Sequence, residues 1–394
     1  MAQSNPNAKV LIKAVRDGNI TKIKKIMQQD GKMNIPPNNG LTPVIVAAQN
    51  GHADAVKALA ALGADVNIPK IDGGTPVLVA AENGHVDVIM ALASLGADVN
   101  IPKSGGATPL FIAAQNGHVG AIKALSALGA DVNTPMTGGI TPIFIAAQNG
   151  HNDVIKFLAS SGADINALQK DGCNAIFIAA RFGHVTTITI LFALGADVDI
   201  FNNRGITPLF MAAQYGQAGS IKVLSALHTN VNTPKPDGST PIYIAAQHGH
   251  VEALRALYIA GGDLNQCNSI GIKPLYIAAY MKHGNIIKLL CRLGADMHEC
   301  YYSDTSMYAT DATNNTTNTS NNTTNIYDNE YDNIDYNSAN SYIKEMILNL
   351  STECEYCNSF SDKLLVCSGC EKVRYCSREC QTKHRKQHKH ECKK

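Results

Sequence analysis

A 33-residue repeat is the feature that most constrains how this chain can fold. A Thr-Pro-apolar pattern recurs at this interval, with one gap of 66 residues, at Thr42, Thr75, Thr108, Thr141, Thr207 and Thr240. Asn174 fills the gap in the same register, Lys273 continues the series, and a degenerate copy begins at Lys9. A fixed period of this length indicates a stack of identical supersecondary modules. The sequence therefore predicts nine units over residues 9–305 without net insertion.

Each unit carries the signals of two short helices. In the unit around Thr108, this threonine suits an N-cap, and Pro109 suits the first helical position. Gly117 and Gly129 can take the positive φ that ends a helix, and Ile122 belongs to an apolar face between them. One such helix pair cannot bury its apolar face alone, whereas stacked pairs can. We therefore expect a turn and two antiparallel helices in every unit.

The complete pattern, G-x-T-P-apolar-x-x-A-A-x-x-G-H followed by G-A-D-V-N, resembles the ankyrin repeat over residues 9 to about 300. The resemblance implies an all-α ankyrin-repeat solenoid of helix-turn-helix units with β-turn loops. One departure recurs, because the second position after the proline is often His in that family and is large and apolar here. We interpret these side chains as packing between repeats. They are Ile45, Leu78, Phe111, Phe144, Phe177, Phe210, Tyr243 and Tyr276.

Histidines recur at the same interval and raise the question of metal binding. They are His52, His85, His118, His151 and His184, followed by His250 two units later. Neighbouring helices pack about 8–10 Å apart, whereas zinc ligands lie about 2 Å from the metal. Neighbouring copies therefore cannot share one ion, and we predict that these histidines lie in the turns between helices.

The two positions after Ala-Ala differ between the early and late repeats and are candidates for partner recognition. The ankyrin resemblance implies that these first-helix positions face the concave side, where aromatic residues and Arg favour protein contacts. We hypothesise a partner surface over the sixth to ninth units, with sequence drift on a solvated face as the alternative. Its residues are Arg181, Phe182, Gln214, Tyr215, Gln247, His248, Tyr280 and Met281.

The composition changes after the repeats. Residues 306–341 are rich in Asn, Thr and Ser, which predicts a disordered linker because such a segment lacks the aliphatic residues of a core. Residues 342–353 begin with helix-like apolar spacing and predict a short helix. The predicted domains are thus a repeat array over 1–305, the linker, this helix, and a last module over 354–392.

Cysteines are concentrated in the last module. Cys173, Cys267, Cys291 and Cys300 are scattered among the repeats, and we predict buried thiols there. Eight potential ligands have metal-binding spacing, enough for two tetrahedral Zn²⁺ ions with a structural role. Disulfides are the alternative, but an odd count of seven cysteines with one matching histidine argues against them. The ligands are Cys354, Cys357, Cys367, Cys370, Cys376, Cys380, His388 and Cys392.

The spacing of these ligands resembles the MYND zinc finger, whose ligands interleave. The resemblance implies that Cys354, Cys357, Cys376 and Cys380 bind the first ion and the other four ligands the second. That family commonly has Trp three residues before the ligand His, as part of a groove for proline-containing peptides. Arg385 stands there instead, which leaves peptide binding open.

Composition bounds the function. The formal net charge is +1, which does not favour nucleic-acid or anionic-membrane binding, and there is no apolar run long enough for a transmembrane helix. We predict a non-enzymatic, monomeric adaptor with protein partners and no small-molecule substrate, cytoplasmic or nuclear because no secretory signal is visible. The alternatives are a regulator of transcription or of a ubiquitin-ligase assembly, an accessory finger of a lysine methyltransferase, and a repeat array that is itself a substrate of an asparaginyl hydroxylase.

Overall fold

The computed structural model describes residues 6–30 and 41–296, together with helical residues 338, 339, 341–343 and 345 and strand residues 365–366 and 374–375. The repeats form helix pairs, in which odd-numbered helices are the first and even-numbered helices the second of each pair. The helices are α1 (Pro6–Arg16), α2 (Ile20–Asp30), α3 (Pro43–Gln49), α4 (Ala53–Ala61), α5 (Pro76–Glu82), α6 (Val86–Ser94), α7 (Pro109–Gln115), α8 (Val119–Ala127), α9 (Pro142–Gln148), α10 (Asn152–Ser160), α11 (Ala175–Phe182), α12 (Val185–Ala193), α13 (Pro208–Gln214), α14 (Ala218–Ala226), α15 (Pro241–Gln247), α16 (Val251–Ile259), α17 (Pro274–Tyr280) and α18 (Gly284–Arg292).

The chain divides into two compact units. The first comprises Met1–Ala212 and Gly219–Asn230, and the second comprises Ala213–Ala218 and Val231–Lys394. In the first unit the odd-numbered helices α1 to α11 pack in succession, and the even-numbered helices α2 to α12 form a second layer. In the second unit α15 packs on α17 and on α16, while α18 packs on both α16 and α17. The predicted helix pairs are confirmed, including the degenerate first copy.

The N-terminal caps form as the sequence predicts. Thr42 Oγ1 accepts a hydrogen bond from the Ile45 backbone N–H at 3.2 Å, and the other cap threonines of the series bond in the same way. Asn174 replaces threonine with its own amide oxygen, which accepts from the Phe177 N–H at 3.1 Å. Lys273 makes no side-chain cap, and its Nζ lies 2.9 Å from Asp296 Oδ2 instead. Local capping chemistry therefore starts most of the first helices.

The large apolar residues two positions after each proline are buried, which confirms their interpretation as packing between repeats. Their side chains lie among the core residues of the first helices, with Phe177 and Phe210 among the largest fully buried side chains. The remaining members are Ile45, Leu78, Phe111, Phe144, Tyr243 and Tyr276, and all are buried. This ladder therefore belongs to the core and is not available to a partner.

The recurrent histidines lie in the turn before each second helix, as predicted, and they connect successive repeats. His85 Nε2 lies 3.1 Å from the carbonyl oxygen of Gln49, at the end of the preceding first helix, so this nitrogen must carry the donating proton. His52, His118, His151, His184, His250 and His283 repeat the contact at 2.9–3.0 Å.

The glycine before each of these turns is required for two reasons. Gly84 has a φ of 72°, and a Cβ atom there would lie 2.8 Å from the ring of His118 in the following repeat. A residue with a side chain would therefore be strained by the left-handed backbone conformation and would also clash with the adjacent histidine ring.

Asparagines that recur in the loops add further links between repeats of the first unit. The Asn133 side chain donates to the Gly162 carbonyl at 3.0 Å and accepts from the Asp164 N–H at 2.9 Å. Asn166 repeats both bonds one repeat later with Gly195 and Asp197. These amides tie each loop to the next.

The scattered cysteines differ from one another. Cys173 is a buried free thiol, as predicted, and burial followed by the charge of Asp171 raises its pKa to about 11. Cys291 is only partly buried, so the prediction of a buried side chain is wrong there. The prediction of a buried thiol is wrong for Cys267, which is disulfide-bonded and only partly buried. Cys300 lies outside the described residues.

Candidate protein-binding surfaces and zinc finger

The predicted partner residues Arg181 and Phe182 lie at the C-terminal end of α11, in the first compact unit. Phe182 exposes 46% of its surface. Its ring lies 5.5 Å from the guanidinium carbon of Arg181 and stacks on His184, with 6.3 Å between ring centroids. Because the Nε2 of His184 is fixed by the Gln148 carbonyl at 2.9 Å, this stack holds an exposed aromatic ring in a defined position.

The other predicted residues belong to the second compact unit, and we call them the C-terminal surface: Gln214, Tyr215, Gln247, His248, Tyr280 and Met281. Tyr215, His248, Tyr280 and Met281 are exposed. His248 and Met281 are the C-cap residues of α15 and α17.

Two histidine contacts set the register of this surface. His250 Nε2 bonds to the Gln214 carbonyl at 3.0 Å, and His283 Nε2 bonds to the Gln247 carbonyl at 2.9 Å. Each bond ties the turn of one repeat to the end of the preceding first helix. Tyr215 and His248, which directly follow the two accepting glutamines, therefore occupy equivalent places in neighbouring repeats.

His248 contributes an imidazole to the C-terminal surface. Its ring stacks on that of His250 with centroids 6.0 Å apart, and its Nδ1 lies 3.1 Å from the Ile244 carbonyl. Partial burial of the ring, together with the nearby His250, His283 and Lys235, lowers the pKa of His248. The imidazole is therefore mainly neutral at pH 7, and a negatively charged ligand would favour its protonated form.

The sequence analysis did not identify the exposed apolar residues on the loops of the first unit, among them Ile71, Leu168 and Phe201. Leu168 and Phe201 expose more than half of their surface. Leu168 and Phe201 occupy the repeat position that holds Pro102 and Pro135 in earlier copies. The replacement of a recurrent proline by an apolar residue could therefore have identified these two positions from the sequence. Neither residue adjoins the predicted partner residues in sequence.

The structure describes a small part of the finger. Strands β1 (Leu365–Val366) and β2 (Arg374–Tyr375) pair antiparallel, with Leu365 opposite Tyr375. Cys367 and Cys376 directly follow these strands in the sequence. All eight predicted zinc ligands lie outside the described residues. Within the described part of the chain, no group of three or more His, Cys, Asp or Glu side chains is arranged to hold a metal ion.

The successive helix pairs are linked by histidine–carbonyl bonds and by loop asparagines, and this defines the protein as a helical repeat array. A separate cysteine-rich module follows the array. Comparison with family models agrees. The model of ankyrin repeats (3 copies) matches residues 11–103, 69–136, 95–169, 143–235 and 209–299, and the model of the MYND finger matches residues 354–392. The chain belongs to the ankyrin-repeat family and ends in a MYND zinc finger.

Both matched families are protein-interaction modules, and the MYND finger implies zinc binding. No curated protein matches the chain. Of the helices that the structure describes, none has the length and apolar character needed to cross a membrane.

Proposed function

We propose that this protein is a non-enzymatic adaptor whose repeat array binds one protein and whose MYND finger binds another. The observation that carries the proposal is the presence of two interaction modules on one chain, each with its own fold. Linked modules raise the effective concentration of one partner near the other without any new contact. We expect it to act as a monomer in the cytoplasm or nucleus.

The array would bind its partner through exposed aromatic residues at the ends of the first helices. Phe182 supports this because its ring is exposed yet held between Arg181 and His184, so little conformational entropy is lost when a partner covers it. Tyr215 and Tyr280 offer the same type of side chain on the C-terminal surface. Aromatic residues of this kind commonly dominate the binding energy of protein interfaces.

The finger would be folded by two structural zinc ions. We propose Cys354, Cys357, Cys376 and Cys380 for the first ion, and Cys367, Cys370, His388 and Cys392 for the second. Thiolate and imidazole ligands in sets of four suit Zn²⁺ and leave no open position for catalysis. Metal binding then supplies the folding free energy that so small a module lacks.

The experiment that tests the adaptor is affinity capture followed by mass spectrometry, comparing the full chain with a chain that ends at Leu350. We expect the shorter chain to keep one set of partners and to lose another. If the shorter chain lost every partner, or lost none, the proposal that the array and the finger bind different partners would be contradicted.

Matched substitutions then test the array surface. Phe182→Ala is compared with Phe192→Ala, because Phe192 exposes a similar 43% of its surface on the second helix of the same repeat. Tyr280→Ala is compared with Tyr258→Ala, since each of these tyrosines exposes 40% of its surface. We expect Phe182→Ala and Tyr280→Ala to weaken capture at least tenfold with unchanged melting temperature, and the two control substitutions to leave capture intact.

A further inference from the structure

The C-terminal surface is accompanied by positive charge. Lys282 directly follows Met281 and is exposed. Lys235 lies close enough to His248 to lower its pKa, and its ammonium group also pairs with Asp237 at 2.7 Å. His248 stacks on His250, and His283 lies near enough to act on the same imidazole. The surface therefore combines aromatic side chains with groups that attract an acidic ligand.

A later segment of the same chain has the complementary chemistry. Residues 326–336 read Ile-Tyr-Asp-Asn-Glu-Tyr-Asp-Asn-Ile-Asp-Tyr, with four acidic residues and without Lys or Arg. Three tyrosines and two isoleucines alternate with these charges, which distinguishes the segment from the Asn- and Thr-rich residues before it. Residues 326–336 lie outside the described part of the chain.

The helical residues that follow this segment contact the second unit beside the C-terminal surface. The first described helical residue after this segment is Ser338, and both Ala339 and Ile343 are buried. The Tyr342 hydroxyl donates to the carbonyl of Lys282 at 3.5 Å. Ala339 and Ile343 are four residues apart, so they share one helix face. Because Tyr342 is only six residues after Tyr336, this contact keeps the end of the acidic segment near Lys282.

The length of the segment matches the surface. Eleven extended residues reach up to about 36 Å. The surface covers the ends of three neighbouring first helices, which corresponds to about 20 Å at the usual spacing of packed helices. A segment whose last residue lies near Lys282 can therefore extend back past Met281 and His248 as far as Tyr215.

We propose that residues 326–336 are an intramolecular ligand of the C-terminal surface, and that external partners compete with them for it. The inference rests on the proposed function insofar as the same surface binds partners. Aspartate and glutamate side chains contact Lys282, Lys235 and the histidines, while tyrosine and isoleucine side chains pack on Tyr215, Tyr280 and Met281. Intramolecular attachment makes even a weak contact effective, because the linker holds the segment at high local concentration.

Zero-length carbodiimide crosslinking of the full-length protein tests this contact directly. The reagent joins carboxylates to amines that touch, and mass spectrometry of a mixture of isotopically light and heavy chains separates links within one chain from links between chains. We expect links from Asp328, Glu330, Asp332 or Asp335 to Lys282 or Lys235 within one chain. We also expect them to diminish in 1 M salt, where charges are screened beyond about 3 Å.

The controls are built from the same chain. Lys282→Gln should remove its links, whereas Lys288→Gln, on α18, should leave them in place. Links that occur only between chains, links to other lysines alone, or the absence of links would overturn the proposal. Because this experiment uses the protein without any partner, its failure would leave the adaptor function standing, and failed partner capture would leave the intramolecular contact standing.

A second measurement uses the charge of the segment. Replacing all four acidic residues by their amides (Asp328→Asn, Glu330→Gln, Asp332→Asn and Asp335→Asn) should lower the pKa of His248, read by NMR titration of the imidazole signals. His250, His283 and Lys235 act on this imidazole in both proteins, so the difference reports the segment alone. An identical His248 pKa in both proteins would refute the proposed contact.

Discussion

Two equivalent positions in successive repeats of the first unit give opposite predictions for stability. Thr187 and Ser220 are separated by one repeat and expose 1% and 0% of their surface. Thr187 Oγ1 donates to Asn152 Oδ1 at 2.8 Å. The residue equivalent to Asn152 in the next repeat is Val185, which has no acceptor. Among the residues that the structure describes, the Ser220 hydroxyl accordingly has no hydrogen-bond partner.

A buried hydroxyl without a partner costs about 1–3 kcal/mol. Ser220→Ala removes the hydroxyl, and we expect the free energy of unfolding to rise by about 1 kcal/mol. Better helix propensity contributes at most about 0.5 kcal/mol of this gain. Thr187→Val removes the hydrogen bond to Asn152 at the equivalent position, so the free energy of unfolding should fall by about 1 kcal/mol.

The substitution Val185→Asn separates the hydrogen bond from other effects. Asn at this first helical position occurs naturally as Asn152, and its side chain would supply the missing acceptor to Ser220. We expect the change that Val185→Asn makes in the free energy of unfolding to be about 1 kcal/mol more stabilising when Ser220 is present than in the Ser220→Ala background. Urea unfolding followed by circular dichroism measures all four proteins of the cycle. A coupling near zero, or a less stable Ser220→Ala protein, would refute the reasoning.

Three further predictions concern a turn glycine, a hydrogen-bonded carboxylate and the zinc finger. Gly84→Ala should lower the melting temperature, measured by differential scanning calorimetry, more than Gly96→Ala does. Both glycines have positive φ, but only at Gly84 would the added methyl group lie 2.8 Å from the ring of His118. The Gly74 backbone N–H donates to Asp72, and this bond is the main cause of the lowered pKa of the Asp72 carboxyl. The ionised carboxylate therefore stabilises the protein above about pH 4, and this stabilisation is lost as the pH falls through the lowered pKa. Asp72→Asn should accordingly lower the melting temperature at pH 7 but not at pH 2. Elemental analysis of the full chain should give two zinc ions, and a strong chelator should unfold the finger while the helical circular dichroism of the array persists; one zinc or none would contradict the ligand assignment.

The repeat fold was predictable because its determinants are local. Thr108 and Pro109 start a helix through contacts within four residues, and Gly117 ends it through its own backbone freedom. Repetition then made each weak signal decisive. The register alone places Asn174 in the threonine series, and its amide oxygen accepts the hydrogen bond that a threonine hydroxyl accepts in the other repeats.

Contacts between repeats were harder to foresee. Lys273 occupies a cap position, yet its ammonium group pairs with Asp296, which is 23 residues away in the sequence. The histidine spacing excluded shared metal ions but did not reveal that each ring bonds to a carbonyl 36 residues earlier. These partners depend on how one repeat lies against the next.

The sequence by itself determined the repeat period and the helix pair of each repeat, because capping and glycine backbone freedom act over a few residues. It also predicts a zinc-binding module, because the ligand spacing is local. Only the tertiary structure decided which side chains stay exposed after stacking and which polar groups find partners. Phe177 and Phe182 illustrate this, since both are aromatic residues of α11, and stacking buries the first while leaving the second exposed. The physical reason is that burial and hydrogen bonding between repeats depend on the neighbouring helix pair, whose contacts join residues that are distant in the chain.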